Sequence, residues 1–156
     1  MTVLNSAPLF EKEKPKNLIM NFKTEMTYKL PKYIDIEKNA ITLDQVLPSF
    51  VTFDSISSMY FFKPTDPAMH IGTFTIEGTL KDFQLSNPFS FTITVIKKPP
   101  GFSGGKKLKD LTVIQGTEYE YQMPPSEDEA GMPYKTIITL GDGSPLPSFI
   151  NYNPTE

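Results

Sequence analysis

The chain contains no cysteine and no arginine, and it has a single histidine. Without cysteine, disulfide frameworks, zinc–thiolate sites and cysteine nucleophiles are excluded. All 15 cationic residues are lysines, so the planar guanidinium that binds phosphate or carboxylate through two bonds is missing. The net charge is −3, and the acids and lysines are interspersed, so no basic stripe suits a nucleic-acid backbone.

Long apolar runs are also missing. No stretch approaches the roughly 18 residues that a membrane-spanning helix requires. The N-terminus has no charged segment followed by a long apolar segment, so it does not fit a signal peptide. We therefore expect any export or anchoring signal of a parent protein to lie outside this sequence.

The residues that are plentiful favour short strands. Proline occurs 15 times in 156 residues, and threonine, isoleucine, phenylalanine and tyrosine are common. Such a mixture is typical of strands separated by turns, and the frequent proline and glycine limit helix length. At 38% hydrophobic and 21% charged residues, the chain can also form a core.

Two segments show strict alternation of apolar and polar side chains. In Gly72–Leu80, Phe74 and Ile76 alternate with threonines and a glutamate. In Phe89–Val95, every second residue is apolar and the residues between are serine or threonine. A period of two predicts strands with one buried face and one wet face, as in an antiparallel sandwich.

The pattern repeats after residue 98 with a period of about 90 to 100 residues, which is the size of a sandwich domain. The offsets between three pairs of matching segments are 92, 93 and 99 residues. The matching pairs are Ala7–Phe10 with Pro99–Phe102, Tyr28–Pro31 with Tyr121–Pro124, and Leu47–Val51 with Leu146–Ile150.

These segments resemble the dystroglycan-type cadherin-like and related immunoglobulin-like (Ig-like) repeats of surface proteins. The resemblance is carried by Leu47–Asp54 (LPSFVTFD), Pro64–Thr65, Gly72 and Asp82, followed by the strand from Phe89. It implies an all-β, antiparallel, Greek-key Ig- or cadherin-like sandwich in tandem, with the second copy incomplete. It also implies a structural or adhesive role.

We accordingly predict four segments. Residues 1–10 are a linker or the end of a preceding repeat, and residues 11–98 form a cadherin- or Ig-like sandwich. Residues 99–107 form a linker, and residues 108–156 form the first half of a second repeat. We expect the chain to continue in nature beyond Glu156; completion by another chain through strand addition is the alternative.

The inventory of catalytic residues predicts no enzyme. His70 is the single histidine, and no Gly-x-Ser-x-Gly elbow or phosphate-binding loop is present. We expect His70 to be an ordinary loop residue, because catalysis needs several positioned partners. The acidic pair Asp35 and Glu37 and the stretch 126–129 show no sign of burial, so we expect them to be solvated. We predict no catalytic, cofactor or metal residues.

No cofactor is predicted, with calcium as the alternative. The family resemblance directs attention to Glu11, Glu13, Asp82 and Asp110 as oxygen ligands. Lys97 and Lys98 stand at the junction where calcium-binding cadherins place acids, and their charge opposes a dication.

The predicted function is a non-catalytic structural or adhesion module of a larger cell-surface protein, acting through protein contacts and spacing. The expected partners are other proteins, including self-association by strand edges, with no nucleic acid and no membrane insertion. Two alternatives stay open: an intracellular scaffold in a cytoskeletal or ciliary assembly, and a carbohydrate-binding accessory module of an enzyme. The latter needs an exposed aromatic platform, for which Tyr60, Phe61 and Phe62 are the crowded residues.

Overall fold

The chain forms two separate units. The computed structural model describes residues 4–154, with the first unit ending at Lys98 and the second beginning at Pro99. The structure is all-β, as the composition predicts, and its one short helical segment is a 3-10 turn at Ser103–Gly105. Within the described residues, no helix is long and apolar enough to cross a membrane.

Residues 4–98 of the first unit form nine strands in three groups. A four-stranded sheet has the order β2-β9-β8-β5, a three-stranded sheet has the order β3-β7-β6, and β1 pairs with β4. The strands are β1 (Leu9–Phe10), β2 (Leu18–Asn21), β3 (Met26–Lys29), β4 (Tyr33–Ile34), β5 (Thr42–Val46), β6 (Val51–Asp54), β7 (Met59–Phe62), β8 (Gly72–Lys81) and β9 (Ser86–Ile96).

The strand order is that of an immunoglobulin-like Greek-key sandwich. The middle strands of both sheets come from the second half of the unit, whereas β2, β3 and β5 lie at sheet edges. Most pairs are antiparallel, but β2 runs parallel to β9, with Leu18 opposite Ile93 and Asn21 opposite Ile96. The predicted sandwich is therefore confirmed for this unit.

The core lies between the two sheets and is rich in aromatic rings. Tyr60 of β7 is fully buried, and its ring lies 5.4 Å from Phe91 of β9 in an edge-to-face arrangement. Phe91 is also 5.7 Å from Tyr28 of β3, so rings from the two sheets interleave. The inward residues of β8 and β9 are those that the alternation predicted, including Ile76 and Ile93, both fully buried. Burying each such side chain contributes about 1.5–3 kcal/mol.

Residues 9 and 10, which the sequence analysis assigned to a linker or a preceding repeat, pair with β4 of the first unit. Leu9 is opposite Ile34 and Phe10 is opposite Tyr33. The ring of Phe10 also stands 5.1 Å from that of Phe89 in β9. Pairing and ring contact join this segment to the sandwich.

The described residues of the second unit form one strand pair. Strand β10 (Gly101–Phe102) pairs with β11 (Ser126–Glu127), which places two residues of the predicted linker 99–107 in a pairing. Most of residues 106–122 and 131–154 are exposed and adopt no regular structure. The strands that their composition suggests at 111–114, 119–123 and 134–140 are therefore not formed.

Hydrogen bonds of the first unit recur in the second at the offsets seen in the sequence. The N–H of Lys16 donates to the Tyr28 hydroxyl (3.0 Å), and the N–H of Lys109 donates to the Tyr121 hydroxyl (3.2 Å). In the first unit, the N–H of Val51 donates to the C=O of Pro48 and closes a turn, and the same turn recurs in the second copy. That copy's turn joins Ile150 N–H to Pro147 C=O, at 2.9 Å.

Backbone conformations recur too. Lys23 and Gly116, 93 residues apart, are both left-handed, with φ of 59° and 80°. Lys38 and Gly131, at the same separation, have φ of 64° and 69°. Pair β10–β11 likewise corresponds to β1–β4. The second unit therefore repeats local hydrogen bonds, backbone conformations and one strand pair of the first half of the sandwich.

The topology explains why the second unit has so little regular structure. In the first unit, β2 pairs only with β9, β3 only with β7, and β5 only with β8. Of the first-half strands, only β1 and β4 pair with each other. A copy of the first half can form just that one pair, because an isolated strand without a neighbour is unstable in water.

Candidate functional site

His70 is held in a structural role. Its Nδ1 accepts hydrogen bonds from the backbone N–H groups of Thr65 and Asp66, each at 3.0 Å. Its Nε2 lies 3.1 Å from the Ser49 hydroxyl, and its ring packs 5.0 Å from Phe50. Both ring nitrogens are thus engaged in fixing the turn before β8.

The aromatic run at residues 60–62 does not form a platform. Tyr60 is fully buried and Phe62 is 1% exposed, whereas Phe61 between them is 44% exposed. Strand alternation places the first and third rings in the core and the second outside. The hydroxyl of Tyr60 donates to Oε1 of Gln45 in the opposite sheet, and burial raises the pKa of this phenol.

Tyr28 and Tyr121, which begin matching segments of the two repeats, are both half-buried. Both hydroxyls accept a backbone N–H twelve residues earlier in the chain. The ring of Tyr28 stacks on Tyr60 at 6.4 Å. The same hydroxyl contact therefore occurs in both copies.

Of the four residues considered for calcium, the three in the first unit, Glu11, Glu13 and Asp82, do not form a metal-binding group. Glu11 pairs with Lys32 (3.1 Å), and Glu13 pairs with Lys16 (2.9 Å). Asp110 lies in the second unit. Among residues 4–154, no three of histidine, cysteine, aspartate and glutamate form a metal-binding group.

Asp82 instead belongs to a polar cluster at one end of the first unit. We define this polar cluster as Asn5, Asp35, Asn39 and Asp82. The Asn5 amide donates to Asp82 Oδ2 (2.8 Å), and the Asn39 amide donates to Asn5 Oδ1 (2.9 Å). The backbone N–H of Asn39 donates to Asp35 Oδ1 (2.9 Å).

The pKa of Asp82 lies below its usual range, so its charged form is favoured. The main cause is the backbone N–H of Leu85, which donates to the carboxylate, and Gln84, Asn5 and Asp35 contribute less. Asp82 directly follows β8, and its carboxylate accepts hydrogen bonds from the backbone N–H groups of Gln84 and Leu85 in the turn before β9. The cluster therefore contains a negative charge at a fixed position.

Asp35 is buried, contrary to the expectation that it is solvated. Its exposed fraction is 7%, and its Oδ2 atom is buried without a hydrogen-bond partner. A buried carboxylate oxygen without a partner costs free energy, on the order of 1–3 kcal/mol or more for a charged group. Asp35 lies beside Asp82, and the interaction of the two carboxyl groups contributes to the lowered pKa of Asp82.

Sequence reasoning missed the polar cluster because its members are distant in the chain. Asp35 and Asp82 are 47 residues apart and meet only because the loop after β4 and the β8–β9 turn lie at the same end of the sandwich. The alternation of Asp35, Glu37 and Asn39 is a local signal for a polar loop. The carboxylate of Glu37 accepts hydrogen bonds from the backbone N–H and the hydroxyl of Ser6, at 3.3 and 3.1 Å.

Exposed apolar side chains flank this cluster. Ile36, directly after Asp35, is 61% exposed, and Phe83, directly after Asp82, is 70% exposed. Leu85 in the same turn is 41% exposed. The hydrogen bonds of the cluster fix the loops on which these side chains stand. The loop end therefore presents apolar groups on an ordered backbone, which is a usual property of interaction surfaces.

No protein family and no curated protein matches the sequence. Among solved structures, an endo-fucoidan hydrolase of glycoside hydrolase family 107 is similar over 62% of this chain and 14% of that chain, with 20% identity and a TM-score of 0.48. The complex of titin M10 with an obscurin-like 1 Ig domain is similar over 62% of this chain and 99% of that chain, with 11% identity and a TM-score of 0.44.

Drosophila OTK extracellular domains 3–5 are similar over 64% of this chain and 33% of that chain, with 13% identity and a TM-score of 0.46. The chain thus spans a small part of two of these three proteins. Likenesses at this level carry no argument about function. The Ig-like fold of the first unit is established by its own strand order and core.

Proposed function

We propose that the chain is a non-catalytic structural and adhesion module of a larger, repeat-containing cell-surface protein. The observation that carries this proposal is the ordered loop end, where Ile36 and Phe83 are exposed beside the polar cluster. Apolar side chains on a fixed backbone bind a protein surface at a low entropic cost, because little ordering is needed on binding. The repeated sandwich supplies spacing between such ends.

Within this proposal, the dystroglycan-type cadherin-like repeats are the family that the chain resembles, and the cell surface is its location. An intracellular scaffold is the alternative that the same fold allows. The carbohydrate-binding alternative has less support, because burial of Tyr60 and Phe62 leaves only Phe61 exposed in the aromatic run. The two engaged nitrogens of His70 support a module without catalysis.

The experiment compares binding by the wild-type chain with binding by two variants. The chain is displayed on a solid support and probed with an array of extracellular proteins, with a glycan array as a parallel arm. Phe83→Ser should reduce protein binding at least tenfold. Met69→Ser is the matched control, because Met69 is 63% exposed but lies at the opposite end of β8.

Unchanged affinity of Phe83→Ser for its protein partner would contradict the role of the loop end. Saturable binding to a glycan alone would favour the carbohydrate module. Turnover of a substrate that disappears in His70→Ala would overturn the non-catalytic proposal. Self-association through strand edges is measured separately by sedimentation over a range of concentrations.

Calcium binding is a second candidate function, and the unpartnered Oδ2 of Asp35 is the observation that favours it. Calcium takes about six to eight oxygen ligands, of which carboxylates and amide carbonyls are common members. The carboxylates of Asp35 and Asp82 and the amide oxygens of Asn5 and Asn39 are ligands of this kind. Water would complete the coordination.

Thermal unfolding with and without calcium tests this candidate. Calcium that binds the folded state raises Tm by mass action. The rise should be absent in Asp35→Asn, which keeps the shape of the side chain, and present in Asp54→Asn, which changes the aspartate at the end of β6. An equal rise in Asp35→Asn, or none in the wild type, would exclude calcium at the cluster.

A further inference from the structure

His70 closes the loop between β7 and β8, residues 63–71, through one ring nitrogen. The backbone N–H groups of Thr65 and Asp66 both donate to its Nδ1, each at 3.0 Å. A neutral imidazole carries one proton, on one of its two nitrogens. Because Nδ1 accepts two hydrogen bonds, the proton lies on Nε2, which then donates to the Ser49 hydroxyl at 3.1 Å. The hydrogen-bond network therefore assigns a single tautomer to His70.

Protonation of the ring is incompatible with the closed loop. In the imidazolium form both ring nitrogens are donors, so Nδ1–H would point at two other N–H groups. The ring must then leave, and the N–H groups of Thr65 and Asp66 lose their acceptor. Other hydrogen bonds of the loop, such as those from the N–H groups of Met69 and His70 to the Asp66 C=O, lie within residues 66–70. The bonds to Nδ1 are those that tie Thr65 to the end of the loop.

The charges near the ring leave His70 as the group that titrates. In the part of the chain that the structure describes, neither ring nitrogen is hydrogen-bonded to a charged side chain. The segment Ser49–Phe50, which packs on the ring, has no titratable side chain. The charged side chains around the loop are its own Lys63 and Asp66 and, on the neighbouring segment, Lys23 and Glu25.

These neighbouring charges are engaged elsewhere. The ammonium of Lys63 pairs with the carboxylate of Glu25 at 2.6 Å, and the carboxylate of Asp66 accepts the N–H of Ala68 at 2.9 Å. Histidine is the side chain whose charge ordinarily changes between about pH 5 and pH 8. The chain has one histidine, so a change of charge in this loop over that range belongs to His70.

We propose that the β7–β8 loop is an acid-sensitive latch, which neutral His70 closes and protonation of His70 opens. The inference goes beyond the proposed function, because it needs no partner and no residue of the loop end. Opening also reaches the core. The ring of His70 packs 5.0 Å from Phe50, which is 5% exposed and stands edge to face with Phe74 at 4.9 Å. Departure of the imidazole therefore uncovers one side of a core ring.

The direction of the effect follows from the protons that each state binds. The closed loop binds no proton at Nδ1, whereas the open loop leaves Nδ1 free to bind one, so acidification favours the open state. An unperturbed imidazole titrates near about pH 6.5. With such an imidazole in the open loop, opening should become about tenfold more favourable between about pH 7.5 and pH 5.5.

The test uses the full chain, labelled with 15N. Long-range 1H–15N spectra of the imidazole at pH 7.5 should show a protonated Nε2 and a bare Nδ1. Amide hydrogen exchange is then measured at pH 7.5 and pH 5.5, and protection is expressed relative to the intrinsic rate at each pH. Protection of the Thr65 and Asp66 amides should fall about tenfold on acidification, whereas protection of the Ile93 amide in β9 should not change.

Two variants separate titration from loss of the side chain. His70→Asn supplies a side-chain oxygen that can accept at the place of Nδ1 but does not titrate, so protection of the Thr65 amide should not depend on pH. Ser49→Ala removes the partner of Nε2, which is protonated in both forms of the ring, and should keep the tenfold response. If His70→Asn does not fold, the tautomer and the exchange of the wild type decide.

An Nδ1–H tautomer at pH 7.5 would overturn the proposal. So would equal protection of the Thr65 amide at both pH values in the wild type, or the same pH response in His70→Asn. A parallel loss at Ile93 would show unfolding of the whole unit and would also contradict a latch. Phe83→Ser acts at the opposite end of β8, so the outcome of the protein-binding experiment is independent of this one.

Discussion

Substitution of Gly78 by alanine is expected to destabilise the first unit, because the added methyl group would collide with the ring of Phe89. Gly78 lies in β8 directly opposite Phe89 of β9, and the Phe89 ring covers it. A Cβ at position 78 would lie 2.3 Å from the end of that ring, at Cζ, and 2.6 Å from Cε1. Ordinary contact begins near 3.4 Å, so the ring must withdraw by roughly 1 Å.

Two opposing effects set the magnitude. Alanine restricts the unfolded chain and so stabilises the folded state by about 0.4–1 kcal/mol where the backbone allows it. Overpacking costs about 1–3 kcal/mol. Withdrawal of Phe89 also disturbs its edge contact with Phe10 at 5.1 Å, and such aromatic pairs contribute about 0.5–1.5 kcal/mol. We expect a net loss of about 1–2 kcal/mol, which lowers Tm by roughly 4–16 °C for a unit of this size.

A double-mutant cycle with Phe89→Ala provides the assay. Thermal and urea unfolding are followed by circular dichroism for the wild type, both single variants and the double variant. Once the ring is removed, Gly78→Ala should be neutral or stabilising, so the sign of its effect reverses between the two backgrounds. An equal cost in both backgrounds would refute the argument, as would stabilisation by Gly78→Ala alone.

Three further outcomes are expected from single substitutions or pH. Tyr60→Phe should lower stability by about 1–2 kcal/mol in urea unfolding, because Gln45 loses its buried hydroxyl donor; Gln45→Leu added to it should recover part of the loss. His70→Ala should lower Tm, because backbone N–H groups in the turn before β8 lose their acceptor. The pKa of the Asp54 carboxyl is lowered, chiefly because the Ser57 hydroxyl donates a hydrogen bond to it. The charged carboxylate therefore stabilises the folded state above the unfolded pKa of about 3.9, and this stabilisation is lost as the pH falls through the folded pKa. The Tm difference between the wild type and Asp54→Asn should therefore shrink on acidification from neutral pH, and a difference independent of pH would contradict this assignment.

Local pattern predicted the central strands well, because alternation alone defines which face of β8 and β9 is buried. It was less informative where structure depends on pairing between distant segments. The parallel pairing of β2 with β9 has no sequence signature, since β2 spans only four residues and includes the exposed Ile19. The strands suggested at 111–114 and 134–140 have suitable composition but lack the partners that the fold requires.

The candidate site shows the same limit. Glu11 and Glu13 were considered as calcium ligands from the resemblance, yet each is neutralised by a nearby lysine. Asp35 was expected to be solvated, because nothing in its neighbours along the chain indicates burial. Its burial arises from the packing of the loop after β4 against the turn that follows β8.

The parallel pairing of β2 with β9 has a mechanical consequence. The polypeptide enters the sandwich through β1 and β2 and leaves it through β9. Once the two-residue pairing of β1 with β4 has opened, tension along the molecule pulls β2 and β9 in opposite directions along their common axis. The bonds from Leu18–Ile93 to Asn21–Ile96 are then loaded in shear and must rupture together, whereas a hairpin opens one bond at a time. A stretched array of such sandwiches would therefore resist extension at each unit before any of them unravels.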